Sequence, residues 1–386
     1  MQPFDSCLAR IKPLSASYIN KARQRLESQI RPAHSLGVLE KIVERLVAIQ
    51  EKIQPSVEKK CVYVFAGDHG VTEENVSCYP REVTAQMVYS FLSGRATINV
   101  LARAAGAEVK VVDMGVDHDF PRRDDLILRK AGYGTANFTK GPAMSEEECR
   151  LALEAGISLA CAAKKEGFEL VATGDMGIGN TTASSAVIAA LTGRKPQEVT
   201  GRGTGIDDEA LQRKIAVIEK GLEVNRHLLT DPMQALQAVG GFEIAGIAGF
   251  VMGCAMEKIP VVIDGLVASA GALVAFELHE NIRDYVFFGH RSFERGHDAV
   301  LKKYHGRAIL DLDMRLGEGS GACLAMQILD AAVKVYNEVA TFEEAEVATR
   351  KIREDSIDER LSSRRNLSSP ERKARGNDHL IGGLIA

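Results

Sequence analysis

Residues 169–182 read Glu-Leu-Val-Ala-Thr-Gly-Asp-Met-Gly-Ile-Gly-Asn-Thr-Thr. The stretch begins apolar, as a buried strand does, turns through three glycines, and runs into small and apolar residues at 183–191 that are typical of a packed helix. A helix N-terminus behind such a turn offers unpaired backbone N–H groups and the positive end of the helix dipole. The stretch therefore predicts a phosphate cradle, with Asn180, Thr181 and Thr182 as further donors. The alternative is a tight turn whose glycines only supply positive φ.

Two known nucleotide motifs match this stretch incompletely. Gly174 and Gly179 have the spacing of a P-loop, but Asn180 stands where that motif has the lysine that reaches the β- and γ-phosphates. Gly177 and Gly179 begin a dinucleotide fingerprint, but Thr182 stands where glycine or alanine is required. The pattern favours a single phosphate on a small nucleotide over ATP or NAD.

Five further apolar segments resemble buried strands, and helical patterns alternate with them. Together with the opening stretch they predict an α/β fold with a mainly parallel six-stranded sheet covered by helices. The pattern also predicts one helix over residues 84–105 and an irregular loop over residues 117–143. The five segments are residues 61–66, 109–112, 260–263, 284–288 and 308–312.

The two ends of the chain differ from this central pattern. Residues 1–56 are helical in pattern and carry an apolar stripe between Leu36 and Ile49. That stripe has to pack either on the main body or on a second subunit. Residues 354–386 are dense in Arg, Glu, Asp and Ser, which predicts a disordered tail.

Composition excludes several classes of protein. A formal net charge of −4 argues against a general role on nucleic acid or on a membrane surface. We expect no transmembrane helix and no signal peptide, because no apolar run has the required length or flanks. The 7 cysteines are scattered, which favours buried free thiols and a cytoplasmic location. His69 and His290 have no partner at metal-ligand spacing, so we expect no metal site.

Polar residues follow every predicted strand. The carboxyl ends of parallel strands share one edge of a sheet, where ligands bind, so we expect these residues to form one site. Glu318 is the strongest candidate for a general base, because the flanking Gly317 and Gly319 leave little bulk to screen it. A solvated loop carboxylate is the alternative. The strand-end residues are Asp68, Asp113, Asp175, Asp264, Ser292 and Glu318.

Two further residues have a functional and a structural interpretation. Lys214 follows a second glycine-rich turn at residues 201–205 and could neutralise a phosphate, although an exposed helix lysine is the commoner case. Asp264 could hold ribose hydroxyls, or it could cap the helix that follows it.

Several motifs, in this order along the chain, resemble the nicotinate-nucleotide–dimethylbenzimidazole phosphoribosyltransferases over about residues 30–345. This family makes α-ribazole 5′-phosphate for the lower ligand of cobalamin. It moves the phosphoribosyl group of nicotinate mononucleotide onto 5,6-dimethylbenzimidazole or a related base. The motifs are Ser-Leu-Gly-x-Leu-Glu at 35–40, Ala-Gly-Asp-His-Gly-Val at 66–71, Val-Ser-x-Tyr-Pro at 76–80, Glu-Val-Thr-x-Gln-Met-Val at 82–88, Met-Gly-Ile-Gly-Asn-Thr-Thr at 176–182, Gly-Arg-Gly-Thr-Gly at 201–205, Ile-Asp-Gly at 263–265, His-Arg-Ser at 290–292 and Leu-Gly-Glu-Gly at 316–319.

The resemblance implies a role for each candidate residue. The resemblance implies two catalytic residues: Glu318, which matches the family's catalytic glutamate, and Asp175, which occupies a position where the family commonly has Glu. The implied phosphate ligands are Gly177, Ile178, Gly179, Asn180, Thr181, Lys214 and Ser292. Asp264 and Gly203 would face the ribose and nicotinate. The base pocket would include Ser77, Tyr79, Gln86 and Leu316.

The resemblance also implies a domain organisation and partners. The fold would be a large Rossmann-like catalytic domain, residues 57–321, with a small helical domain made from residues 1–56 and 322–353. The partners would be the two small-molecule substrates and a second copy of the chain, in a homodimer whose small domain covers the neighbour's site. No cofactor or metal is implied. Two other interpretations stay open: a Rossmann-type NAD(P)-dependent oxidoreductase and a non-enzymatic nucleotide-binding protein.

Overall fold

The computed structural model describes residues 3–348. The described part of the chain divides after Thr341 into two units. The described part of the second unit, residues 342–348, consists of turns and coil. The tail predicted at residues 354–386 lies outside the described residues.

One parallel sheet organises the first unit and confirms the predicted fold class. Seven strands lie in the order β3-β2-β1-β4-β5-β6-β7, and every neighbouring pair is parallel. The prediction of six strands is wrong by one, because β3 lies in the segment predicted as an irregular loop. With three residues it is too short to show a periodic pattern. The strands are β1 Lys60–Gly67, β2 Ala107–Gly115, β3 Leu126–Leu128, β4 Leu170–Met176, β5 Val261–Ile263, β6 Val286–His290 and β7 Ala308–Leu310.

Fourteen α-helices occur in residues 3–348. The prediction of one helix over residues 84–105 is wrong, since the chain breaks there into α4 and α5. Gly94, with φ +73°, lies at the break and ends α4. The helices are α1 Pro3–Arg10, α2 Ala16–Ser28, α3 Val38–Gln50, α4 Val83–Leu92, α5 Thr97–Ala105, α6 Glu146–Lys165, α7 Asn180–Thr192, α8 Pro196–Val199, α9 Asp208–Val224, α10 Pro232–Val239, α11 Phe242–Glu257, α12 Leu266–Leu278, α13 Arg295–Lys303 and α14 Ser320–Glu338.

The apolar stripe of the N-terminal segment packs inside the chain. Ile42, Leu46 and Ile49 on α3 are 3% exposed or less. Helix α3 packs against α2 and against α14, which in turn covers strands of the sheet. The stripe is therefore not the exposed surface that a second subunit would cover. The division into a large and a small domain stays a prediction.

Helices α6 and α11 pack tightly together on one face of the sheet because glycines face each other across the contact. A Cβ atom at Gly249 of α11 would lie 1.8 Å from the carbonyl oxygen of Leu153, and one at Gly156 would lie 2.0 Å from the carbonyl oxygen of Gly246. The other side of α11 packs against β1, where the centroids of the Phe250 and Tyr63 rings lie 4.7 Å apart. This packing fixes the N-terminus of α11 beside the carboxyl end of β1.

Gly249→Ala should destabilise the protein by about 1–3 kcal/mol, because the added methyl overpacks the contact with α6. Chemical denaturation monitored by circular dichroism measures the loss. Leu151→Ala, at an exposed position of α6, is the control and should change stability by about 0.5 kcal/mol or less. Equal stability of Gly249→Ala and the unmodified chain would contradict this description of the packing.

Candidate active site

A cavity of about 640 Å³ lies at the carboxyl ends of the central strands. It adjoins the point where the sheet reverses its strand order, between β1 and β4, which is where parallel sheets bind ligands. Its described lining is formed by Tyr79, Val83, Met87, Asp175, Met176, Gly177, Ile178, Asn180, Thr181, Gly203, Thr204, Gly265, Leu266, Val267, His290, Ser292, Glu294, Arg315, Leu316, Gly317 and Glu318.

The opening sequence stretch forms one wall of this cavity. Strand β4 leads through a turn to Gly179, whose φ of +95° suits glycine, and α7 begins at the next residue. Ile178 donates its backbone N–H to Thr84 Oγ1 at 3.1 Å. The N–H groups of Gly179 and Thr181 have no acceptor within residues 3–348. The turn and the helix dipole therefore present an anion site to the cavity.

Lys214 contacts the anion site through the side chain of Thr181. Its side chain is 1% exposed, and Nζ donates to Thr181 Oγ1 at 2.8 Å, so the exposed-lysine alternative is wrong. Burial lowers the pKa of Lys214 to about 8, although the negative charge of Glu294 opposes the shift. Glu294 Oε1 also accepts the N–H of Gly203 at 2.8 Å and so holds the second glycine-rich turn beside Lys214.

Glu318 enters the cavity from the turn before α14. It has a left-handed φ of +64° between two glycines that also have positive φ. Its carboxylate is 6% exposed, and Oε2 accepts the N–H of Ile98 at 3.2 Å, at the N-terminus of α5. Burial raises the pKa of Glu318, and the hydrogen bond from Ile98 opposes the shift. Such a carboxylate is a stronger base than a solvated one.

Asp175 lies beside this turn. Asn180 Nδ2 donates to Asp175 Oδ2 at 3.0 Å, and the Glu318 N–H donates to the Asp175 carbonyl at 3.3 Å. Burial raises the pKa of Asp175 well above its usual range, and the nearby carboxylates of Asp264 and Glu243 raise it further. The site thus contains two carboxyl groups whose surroundings favour the protonated form.

The position of Asp264 differs from the one that either predicted role, ribose ligand or cap of the following helix, requires. It is fully buried, does not line the cavity, and accepts the N–H groups of Gly319 at 3.2 Å and Ala322 at 2.9 Å. It therefore caps α14 rather than the following helix, α12. Its carboxylate also lies 3.4 Å from His290 Nδ1. Burial lowers the pKa of His290, but the contact with Asp264 and its negative charge raise that pKa overall.

The structure brings only some of the six predicted strand-end residues together in the cavity. Ser292, which lines the cavity, donates its backbone N–H to His297 Nδ1 at 2.8 Å. Asp113 lies elsewhere, where it accepts the N–H of Gly115 at 3.0 Å, and Asp68 lines a separate cavity. One shared site for all six strand-end residues is therefore wrong. Sequence reasoning assigned no role to Glu294 and His297, because single polar residues in a helical segment carry no spacing signal.

The residues predicted to form the pocket for the aromatic base also do not all line the same cavity. Tyr79 and Leu316 line the cavity, next to Val83 and Met87 of α4. Gln86 lines the separate cavity of about 340 Å³, together with Ala85 and Tyr89 of the same helix. The Ser77 side chain is turned back on its own loop, where Oγ accepts the N–H of Tyr79 at 3.2 Å.

Other features of the described chain concern metals, thiols and membranes. Residues 3–348 contain no group of three or more His, Cys, Asp or Glu side chains that could hold a metal ion. All 7 cysteines are free, and most are buried, although Cys78 is exposed. None of the helices in this part of the chain combines the length and apolarity needed to cross a bilayer.

Comparison with known proteins identifies the family. A family model described as phosphoribosyltransferase matches residues 11–347. A nicotinate-nucleotide–dimethylbenzimidazole phosphoribosyltransferase of Geobacter sulfurreducens is 54% identical over 341 residues, which cover 88% of this chain and 97% of that protein. The chain belongs to this family. A relative of the same name from Geobacter sp. strain M21 is 53% identical over 349 residues, 90% of this chain and 100% of that protein.

Solved structures of the phosphoribosyltransferase family have the same fold. The enzyme of that name from Thermus thermophilus matches with a TM-score of 0.83 and 42% sequence identity, over 87% of this chain and 100% of that chain. A structure titled CobT from the same organism is 43% identical over 86% of this chain and 100% of that chain, also with a TM-score of 0.83. The family membership predicted from the sequence is confirmed, and the comparisons give the oxidoreductase and binding-protein alternatives no support.

The anion site should bind sulfate in a way that depends on the charge of Lys214. Sulfate does not titrate between pH 7 and pH 9.5, whereas Lys214, with a pKa of about 8, loses most of its charge. We expect sulfate affinity, measured by isothermal titration calorimetry, to fall by up to about 30-fold over this range.

Two variants separate Lys214 from other titrating groups. Lys214→Met should bind sulfate weakly at both pH values, whereas Lys140→Met, which removes an exposed lysine paired with Glu73, should behave as the unmodified protein. A pH dependence that persists in Lys214→Met would show that another group controls the anion site.

Proposed function

We propose that this chain transfers the 5-phosphoribosyl group of nicotinate mononucleotide to 5,6-dimethylbenzimidazole or a related base, with Glu318 as the general base. The observation that carries the proposal is the buried carboxylate of Glu318 in the cavity that also contains the anion site at α7. The names of the relatives support the choice of substrates.

The phosphate of the nucleotide would bind at the N-terminus of α7. The N–H groups of Gly179 and Thr181 would donate to it, and Lys214 would supply the positive charge from behind Thr181. Gly177, Ile178 and Asn180 complete this wall, and Ser292 lines the cavity close to Gly265. The bound phosphate would favour the charged form of Lys214 and so raise its lowered pKa.

The reaction replaces the bond between the ribosyl anomeric carbon and the nicotinate nitrogen by a bond to the benzimidazole nitrogen. Positive charge develops on the ribosyl ring during this displacement, as in glycoside hydrolysis, and a nearby carboxylate stabilises it. Nicotinate leaves as a neutral pyridine nitrogen with its own carboxylate. The benzimidazole loses its N–H proton as the new bond forms, and Glu318 would accept that proton.

Asp175 would have a different role from Glu318. Because burial and the neighbouring carboxylates of Asp264 and Glu243 raise its pKa more strongly and so favour its protonated form, we propose that it donates a hydrogen bond in the site. Two carboxyl groups with separated pKa values are a common basis for acid–base division of labour.

The remaining assignments follow from position in the cavity. Gly203 would lie beside the nucleotide, while Asp264 would act indirectly by fixing the turn that carries Glu318. Tyr79, Leu316 and the apolar face of α4 would receive the aromatic base. Ser77 and Gln86 would contact the base only if their segments rearrange on binding.

Glu318→Gln should lower kcat by about 10²–10⁴-fold, because the amide keeps the shape of the side chain but cannot accept the proton. Formation of α-ribazole 5′-phosphate from nicotinate mononucleotide and 5,6-dimethylbenzimidazole, separated by chromatography, measures the rate. Glu108→Gln, at an exposed strand position, is the matched control and should keep full activity. A fully active Glu318→Gln would exclude Glu318 as the base, and an unmodified chain that forms no product would exclude the reaction.

We also propose a cytoplasmic homodimer. Tyr79 and Leu316 line the cavity and are 53% and 51% exposed, and Phe293, which lies between the lining residues Ser292 and Glu294, is 68% exposed. A second copy of the chain would cover them, which is the usual role of such a patch. Leu316 would then form a closed wall for the aromatic base.

Sedimentation velocity should give a mass close to twice the 41.8 kDa of one chain. Phe293→Asp should shift the population toward the monomer, because a charge in an apolar interface is costly. Val224→Asp changes another exposed apolar residue, at the end of α9, and should leave the dimer intact. A monomeric unmodified protein at micromolar concentration would contradict the proposal.

A further inference from the structure

A buried pair of polar side chains lies behind the phosphate cradle, and it enters the mechanism above only through the charge of Glu243, which raises the pKa of Asp175. His69 Nε2 and Glu243 Oε1 are joined by a hydrogen bond of 2.7 Å. His69 is 1% exposed and Glu243 is fully buried. His69 follows the carboxyl end of β1, and Glu243 lies in the first turn of α11, whose dipole favours a negative charge there.

Four glycines lie close around the pair, and at Gly241 and Gly67 a side chain would collide with it. A Cβ atom at Gly241 would lie 2.3 Å from His69 Cε1, and one at Gly67 would lie 2.9 Å from Glu243 Oε2. On the cradle side, a Cβ atom at Gly179 would lie 3.2 Å from His69 Cβ, and one at Gly177 would lie 3.4 Å from the His69 ring. The imidazole is thus in direct packing contact with the turn that begins α7.

Stability alone gives no reason for this pair. Replacement of a buried ion pair by apolar side chains of similar size is often neutral or stabilising. The pair also leaves two polar atoms, His69 Nδ1 and Glu243 Oε2, without a hydrogen-bond partner in the described chain. Buried polar atoms without hydrogen-bond partners destabilise the fold, so they are expected where function requires a fixed geometry.

The contacts of His69 point to what is being fixed. The His69 carbonyl accepts two hydrogen bonds from Thr72, one from the backbone N–H at 3.2 Å and one from the Oγ1 hydroxyl at 2.7 Å. The loop after β1 is therefore closed on itself. Thr72 Cγ2 and His69 Cβ both pack toward Gly179. The hydrogen bond to Glu243 ties this loop to α11, which is itself fixed to the sheet.

We propose that the His69–Glu243 pair is a positioning unit that sets the place of the Gly177–Gly179 turn and thereby the affinity of the site for the phosphate of the nucleotide. The inference rests on the proposed function for the identity of the nucleotide, but not for the anion site. The pair touches neither substrate, so its loss acts through the turn and should not affect the affinity for the aromatic base.

Glu243→Leu removes the hydrogen bond and keeps an apolar side chain of similar size. We expect sulfate affinity to fall about 10–100-fold, as for other residues that orient a ligand from behind. The KM for nicotinate mononucleotide should rise by a similar factor, with the KM for 5,6-dimethylbenzimidazole unchanged within about twofold. Glu243→Gln keeps an acceptor for His69 and should restore both values to within about threefold of the unmodified protein.

Met252→Ala is the control for a purely structural effect. This residue is also fully buried on α11, so its truncation should lower the melting temperature without changing sulfate affinity or either KM. His69→Leu removes the partner of Glu243 from the other side of the same pair and serves if Glu243→Leu does not fold.

The outcomes separate this inference from the proposed function. A folded Glu243→Leu that binds sulfate as tightly as the unmodified protein would overturn the inference, as would an equal loss in Met252→Ala or no rescue by Glu243→Gln. If the unmodified chain binds sulfate but forms no α-ribazole 5′-phosphate, the proposed function fails, and the sulfate measurements still decide whether the pair positions the turn.

Discussion

Contact between β4 and the turn before α14 holds the two halves of the candidate site together. A Cβ atom at Gly174 would lie 2.3 Å from the Glu318 carbonyl oxygen, and one at Gly319 would lie 3.2 Å from Gly174 Cα. The strand that supplies Asp175 and leads into the anion site is therefore also the surface on which the Glu318 turn rests. Asp264 holds that turn through the N–H groups of Gly319 and Ala322. The distance between Glu318, the proposed general base, and the phosphate cradle at α7 is therefore fixed, and loop motion alone cannot change it.

Burial of charge is the second property on which the site depends. Asp175 and Glu318 have raised pKa values, and Lys214 has a lowered one, because each is removed from water. Burial acts against the charged form of each group, so a bound anion or a proton in transfer changes the balance strongly. Hydrogen bonds from Ile98 to Glu318 and from Asn180 to Asp175 oppose the upward shifts of the two carboxyl pKa values without reversing them.

Much of this arrangement could be predicted from the sequence, and the failures have physical reasons. The strand, turn and helix at residues 169–191 were predictable because hydrophobic periodicity and glycine spacing are local signals. The break between α4 and α5 was missed because Ser93-Gly94-Arg95-Ala96 interrupts an otherwise apolar helical pattern only briefly. That break matters, since it creates the helix N-terminus that binds Glu318. Asp264 as a cap for α14, and the His69–Glu243 pair, depend on contacts between residues far apart in sequence, which periodicity cannot reveal.

The central claim is that one cavity binds the phosphate at α7 and presents the anomeric carbon to Glu318. A crystal structure of the Glu318→Gln variant with nicotinate mononucleotide tests it most directly. The account predicts the phosphate within hydrogen-bond distance of the Gly179 and Thr181 N–H groups, with Lys214 behind it and the ribosyl carbon facing residue 318. A phosphate bound away from α7, or a ribosyl ring turned away from residue 318, would contradict it.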